Sequence, residues 1–143
     1  MPIEYDQLLS TTISSSAQIL SSPFSLDGSN PLSLAVEAIF VYGSTAGTTV
    51  KAFIQSTLDN GTTWFDVACL AFATTTGSKL AQLVSTVAVT SAPAPTDGSL
   101  ADDTVRGGGP LGSLIRAKVL VDGTYTTTGA GTTLAIHALR RTP

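Results

Sequence analysis

The sequence predicts an all-β chain: a single antiparallel β-sandwich, jelly-roll or immunoglobulin-like, with one long Gly/Pro-rich loop. Three observations predict it. Apolar residues recur at every second position in several short runs, the period of a strand with one face on a core. Turn-forming pairs, above all Asn60-Gly61 and Asp122-Gly123, separate those runs. No stretch sustains a helical period, so no crossover helix is available to join parallel strands, and neighbours are expected to pair antiparallel.

At the start of the chain, Met1 to about Leu9 is expected as an N-terminal arm. A first strand covers part of Thr11 to Leu20, anchored by Ile13 and Ile19. From Leu32 to Tyr42, the residues Leu32, Leu34, Val36, Ala38, Phe40 and Tyr42 share one face. The opposite face turns apolar at Ile39 and Val41, which places the later half of this strand mid-sheet or under a neighbouring subunit. The segment from Val50 to Ala73 then reads as a hairpin about Asn60-Gly61. A type I′ turn needs positive φ at both central residues, which Asn tolerates and Gly accepts at almost no cost. Asp59 can bond forward to backbone N–H groups, and Thr62 and Thr63 restart the strand.

On the first hairpin strand Val50, Ala52, Ile54 and Leu58 share a face, opposite Lys51, Gln55 and Thr57. Phe53 interrupts that polar side, so both sides are expected to be partly covered. On the second, Phe65, Val67, Cys69 and Ala71 alternate with Trp64, Asp66, Ala68 and Leu70. A further strand runs from about Lys79 to Val89, with Leu83, Val87 and Val89 inward. Leu114 to Val121 is the clearest of all: Ile115, Ala117, Val119 and Val121 face the core while Arg116 and Lys118 face out. Leu134, Ile136 and Ala138 complete the inward set on the last strand. About seven short strands with turn chemistry between them make a sandwich. The Cys–Trp–Cys signature of antibody domains is absent, and strand order stays open between the two architectures.

Ala92 to Ser113 breaks the pattern, with three prolines, five glycines and three aspartates. A structureless stretch of this length tends to be functional or disordered. It is expected to act as a partner-contact loop, with Asp102, Asp103, Arg106, Gly108 and Pro110 as its candidate contact residues. Gly107-Gly108-Gly109 has no lysine or helix behind it and does not read as a phosphate cradle.

The chain of 143 residues fits one domain, long enough to bury about two-thirds of its unfolded surface. Charged residues make up only 12 %, about half the usual share, which suits packing against other protein. A net charge of −3 gives no footprint for nucleic acid, and no apolar run reaches the roughly 18 residues needed to cross a bilayer. The N-terminal MPIEYDQLLS carries two acids and no base before any apolar run; it is not read as a signal peptide, and folding in a cytoplasm is expected. Cys69 is the single cysteine and reads as a buried, inert thiol.

No catalytic, cofactor or metal constellation emerges. His137 is the only histidine and alternates with inward residues, so it faces away from the core rather than serving a triad. Asp97, Asp102 and Asp103 lack the spacing of a calcium loop and read as solvated loop acids. Thr57 to Trp64 also resembles the Asp-box of β-propellers, in which the Asp closes the turn and the Trp packs beneath it. Propellers carry one copy per blade. With one copy here, Asp59, Asn60, Gly61 and Trp64 read as a structural hairpin and no hydrolase is inferred.

Two blocks together resemble a broad group of small structural proteins of tailed bacteriophages. The first runs from Gln55 through Leu58-Asp59-Asn60-Gly61-Thr62-Thr63-Trp64 to Asp66-Val67-Ala68, close to the group's QTSxDGGTTWxDVAxF. The second, Leu111-Gly112 to Arg116 followed by Gly123-Thr124, is close to its LGxxxRxxxxxxGT. The resemblance implies a β-sandwich virion component, assembled in the host cytoplasm, binding the major capsid protein or other virion proteins. A capsid decoration or cement protein is the first expectation, homo-oligomeric with a trimer as first guess, since closed symmetry multiplies weak contacts. A head–tail connector or tail protein is the alternative. A carbohydrate-binding attachment module is a further one; it would need an aromatic platform from Trp64, Tyr42, Tyr125 or the phenylalanines. No enzyme, cofactor, nucleic-acid or membrane role is expected.

Overall fold

The chain is one long hairpin rolled onto itself. The computed structural model describes residues 3–26, 33–84, 92–106, 111–126, 129 and 131–141. Its strands are β1 (Ile3–Ile13), β2 (Ala17–Leu20), β3 (Phe24–Ser25), β4 (Ser33–Val41), β5 (Thr49–Thr57), β6 (Phe65–Phe72), β7 (Gly77–Val84), β8 (Leu114–Asp122) and β9 (Thr132–Arg141). The described residues contain no helix. Pairing is nested. β1 pairs with β9, β2 and β3 with β8, β4 with β7, and β5 with β6, all antiparallel. Two further antiparallel pairs, β4 with β9 and β5 with β8, roll this ribbon into two sheets.

The sheets have the orders β1-β9-β4-β7 and β2-β8-β5-β6, with β3 continuing the β2 edge along β8. Counting β2 and β3 as one interrupted strand gives eight strands in two sheets. That nested order is a jelly roll, which resolves the choice between architectures that strand periodicity leaves open. Between the sheets lie the inward residues the alternation predicts: Leu34, Val36, Ala38 and Phe40 on β4, Ile115, Ala117, Val119 and Val121 on β8, and Leu134, Ile136 and Ala138 on β9. One end of the core is aromatic. Phe40 stacks on Phe72 at 5.0 Å and meets Tyr125 edge-on at 6.3 Å, while the Tyr125 hydroxyl donates to Ala73 O at 2.8 Å. Burying each such ring stabilises the fold by about 1.5–3 kcal/mol.

Four expectations are corrected. Residues 3–9 are not an arm: they belong to β1, which pairs along its length with β9 and buries Leu8 and Ile13. The strand expected within Thr11 to Leu20 is two, the end of β1 and all of β2, which lie in different sheets. The hairpin tip is longer than a two-residue turn, running from Leu58 to Trp64, and Leu58 is 72 % exposed rather than inward. Strand β6 changes face partway. Ile54 pairs with Ala68 and Gln55 with Asp66, so Val67 is an extra residue, a β-bulge that turns Val67 and Ala68 both into the core. Beyond it Leu70 and Phe72 point inward and Cys69 points out. Leu32, Val87 and Val89 lie outside the described residues.

Candidate functional site

The outer face of the β2-β8-β5-β6 sheet is not open to solvent. Gln55, Ser56, Thr57, Phe53, Asp66 and Cys69 are all buried, although Phe53 and Cys69 stand outside the inter-sheet core. Their cover is the Gly/Pro-rich loop itself. Residues 92–106 form a strap that crosses β6 and β5 towards β8 and returns along the free edge of β6. On that edge Asp66 N donates to Thr96 O, Cys69 N to Thr104 O and Arg106 N to Val67 O, at 2.8, 2.8 and 2.9 Å. The strap thereby satisfies backbone groups that an edge strand otherwise presents to other chains.

Asp66 anchors the strap. Its carboxylate is fully buried and accepts from Thr96 Oγ1, from the backbone N–H groups of Gly98, Ser99 and Leu100, and from Gln55 Nε2, at 2.8–3.2 Å. Consecutive N–H groups pointing at one carboxylate offset the cost of burying it. Arg106 closes the ring, donating through Nε to Asp66 O and through Nη2 to Ala94 O and Thr96 Oγ1. Three ion pairs fasten the rest: Lys51 to Asp102 at 2.8 Å, Lys79 to Asp103 at 2.7 Å and Lys118 to Asp97 at 2.9 Å. The Lys79 and Lys118 hydrogen bonds hold the Asp103 and Asp97 carboxyls below the usual range. Beneath the strap, burial pushes the Cys69 thiol up to about 11.

The tip between β5 and β6 is a second locked unit. Asn60 and Gly61 have φ of 58° and 98°, the left-handed geometry their pairing predicts. Asp59 closes the loop as expected: Oδ1 accepts from Thr63 N and Thr57 Oγ1, both at 2.8 Å, and Oδ2 from the Thr63 hydroxyl. Those donors, Thr63 first, lower its carboxyl to about 2. The Trp64 indole N–H donates to Gly61 O at 3.1 Å, and the Arg116 guanidinium lies 4.2 Å from the ring centre. Arg116 Nε donates to Gln55 Oε1, and Gln55 Nε2 reaches both Asp66 and Asp97. Tip, β8, β6 and strap are therefore one polar network.

Gly112 is the pivot between the two resembling blocks. A Cβ there would stand 1.5 Å from Thr57 O, so only glycine lets β8 begin against the end of β5. Gly112 N donates to Ser56 Oγ, and Ser113 N to Thr57 O.

Of the residues singled out in the sequence, the structure brings Asp59, Asn60, Gly61 and Trp64 together at the tip. Asp102 and Asp103 are spent on lysines of the chain's own sheets and Arg106 on backbone and the Thr96 hydroxyl, while Gly108 and Pro110 lie outside the described residues. Arg116 and Lys118 do point away from the core, but into the strap rather than to water. Asp66 and Gln55, not among the candidate site residues, carry more of the architecture than those that were. The signal for Asp66 was a lone acid in an apolar strand, FDVACLAF. Among the described residues no three of His, Cys, Asp and Glu come together where they could hold a metal.

Two open surfaces among the described residues stand out. A groove of about 840 Å³ lies between tip and strap, with Asp59, Trp64, Phe65, Asp97 and Arg116 on its walls. Tyr125 is buried and cannot form an aromatic platform, while Tyr5, not considered for one, is 68 % exposed. The other surface is the outer face of the β1-β9-β4-β7 sheet, which no described segment covers. Comparison with protein-family models and with curated proteins gave no match.

Proposed function

We propose that the chain is a structural component of a tailed-bacteriophage particle, a decoration or cement protein that binds the outer capsid surface and stabilises the shell. The observation that carries this is where the resembling residues go. Gln55, Thr57, Asp59, Trp64 and Asp66 from the first block, and Gly112 and Arg116 from the second, lock one end of a jelly roll. They are used to hold shape. The two blocks are neighbours in one sheet, on β5, β6 and β8. A motif spent on rigidity suits a component that works by contact.

The surface fits the same role. Charges are few, and Lys51, Lys79, Lys118 and Arg140 pair with acids of the chain itself, while Leu58 at the tip and Val105 on the strap stay exposed. A shell offering many equivalent sites turns such modest contacts into high occupancy. The decisive measurement is copy number on purified particles, by quantified gel bands or a cryo-EM map. A decoration protein gives copies comparable to the major capsid protein. A ring of a few copies would move the chain to the head–tail joint or the tail, and absence from particles would sink the proposal.

A second reading is favoured by the groove beside Trp64. Arg116 has committed Nε but neither Nη to a partner among the described residues, and Asp97 and Asp59 stand beside an aromatic ring. That mixture suits the hydroxyls and apolar face of a saccharide. A glycan array without hits on the purified chain would remove this reading.

A further inference from the structure

We infer that the outer face of the β1-β9-β4-β7 sheet is the contact surface for a second copy of this chain, the two copies packing face to face about a two-fold axis.

The two sheets are treated differently by the chain. One has its outer face strapped; no described segment crosses the other, which exposes large apolar side chains among polar ones. Three of the exposed large hydrophobic residues lie on the bare face: Tyr5 at 68 %, Leu80 at 73 % and Val41 at 45 %. The register sets them in rows. Tyr5, Leu139 and Ala35 run across β1, β9 and β4, and Gln7, His137, Glu37 and Leu80 run across all four strands. Large apolar groups gathered on one face mark an interaction site, whereas scattered ones do not.

Charge selects the occupant. The middle of the face holds one acid and one base, Glu37 and His137, which are cross-strand neighbours. A strongly acidic or basic partner finds no complement here. A second copy does: a two-fold axis through this row sets each Glu37 against the other copy's His137. The His137 ring lies 5.8 Å from that of Tyr5, so the face's base and its largest apolar group form one patch.

Size agrees. Four strands about 4.8 Å apart and about 30 Å long give each face roughly 570 Å², or about 1,100 Å² for the pair. That clears the approximate 1,000 Å² that a specific interface requires, at the weak end of the range. Sheets pack face to face about 10 Å apart at about −30°, so no rearrangement is needed. The isologous geometry favours a pair over the three-fold ring expected from the resemblance.

The test uses purified chain in sedimentation velocity from low to high micromolar concentration. Copy number on particles tests the virion proposal, and this measurement tests the inference independently. The expected result is a reversible monomer–dimer equilibrium. Leu80→Glu and Tyr5→Glu weaken it at least about tenfold with an unchanged circular-dichroism melt, while Leu58→Glu, on the opposite side, leaves it intact. Glu37→Lys and His137→Glu each abolish self-association, and mixing the two variants restores a heterodimer, because each cross-copy pair is then again of opposite charge. A chain monomeric throughout, a trimer, or dimers indifferent to Leu80→Glu and Tyr5→Glu would each overturn the inference. Should those two variants lose their fold, the mixing experiment decides alone: no heterodimer, no interface.

Discussion

Asp66 concentrates the strap's dependence in one side chain. Its carboxylate takes the N–H groups of Gly98, Ser99 and Leu100, which have no strand to bond otherwise. Asp66→Ala leaves those donors without an acceptor in a site closed to water, and should cost about 3–5 kcal/mol in urea denaturation. Asp66→Asn keeps one acceptor but sets an NH2 against donors on the other side, and should cost a similar amount. Hydrogen exchange at residues 98–100 should rise in both variants; unchanged exchange would mean the strap is held elsewhere. Cys69, beneath the same strap, gives a companion measurement. With its thiol raised to about 11 and no exposure, it should resist a thiol reagent at pH 8 and react fully once unfolded. Fast labelling of native protein would show that the strap opens readily. The burial of Cys69 was legible in the sequence; the part of Asp66 was not, because its partners in the strap lie 30 or more positions away, in a loop without periodicity.

At the scale of elements, what was legible were the strands whose two faces differ in environment. β4, β8 and β9 alternate cleanly because one side meets the core and the other meets water or a polar cover. β5 and β6 were harder, since both of their faces are buried and a bulge at Val67 inverts the alternation midway. β1 was missed for another reason. Its outward Tyr5, Gln7 and Ser10 read as a polar terminus, and only pairing with β9 makes it a strand. The strap has an acid response whose direction follows from its carboxylates. Asp97 and Asp103 sit below their ordinary value of 3.8 in the folded state, so they contribute stability above that value. The contribution is lost as pH falls through their lowered folded values. Both carboxylates are about half exposed, which limits each pair to about 1 kcal/mol. Strap amides should therefore exchange faster at pH 3 than expected from the intrinsic pH dependence, and β4 and β9 amides should not. Uniform change across strap and sheets would assign acid sensitivity to the whole fold instead.

For the whole molecule, the sandwich followed from local pattern, but the jelly-roll order did not, because it rests on which distant strands pair. Nesting has a consequence that separates a strand from an arm. The first and last strands are partners, with Ile3 opposite Arg141, so the start of β1 and the end of β9 lie side by side. Deleting residues 1–13 removes an edge strand, bares one side of β9 and takes Leu8 and Ile13 from the core. Loss of two large buried side chains alone costs about 4–10 kcal/mol, enough to unfold a domain of ordinary stability. Joining the ends with a few glycines and opening the chain between Thr74 and Thr75 changes connectivity and leaves every strand pair intact. Both residues are exposed, and the flanking bonds, Tyr125 hydroxyl to Ala73 O and Tyr42 N to Thr76 Oγ1, survive the cut. The permuted chain should keep the native circular-dichroism spectrum and melt within about 10 °C of the parent, as openings at exposed loop tips usually allow. The truncated chain should show no cooperative melt. A stable truncated chain would restore residues 1–9 as an arm, and a permuted chain that fails to fold would mean that the order of pairing, not the final set of pairs, governs this jelly roll.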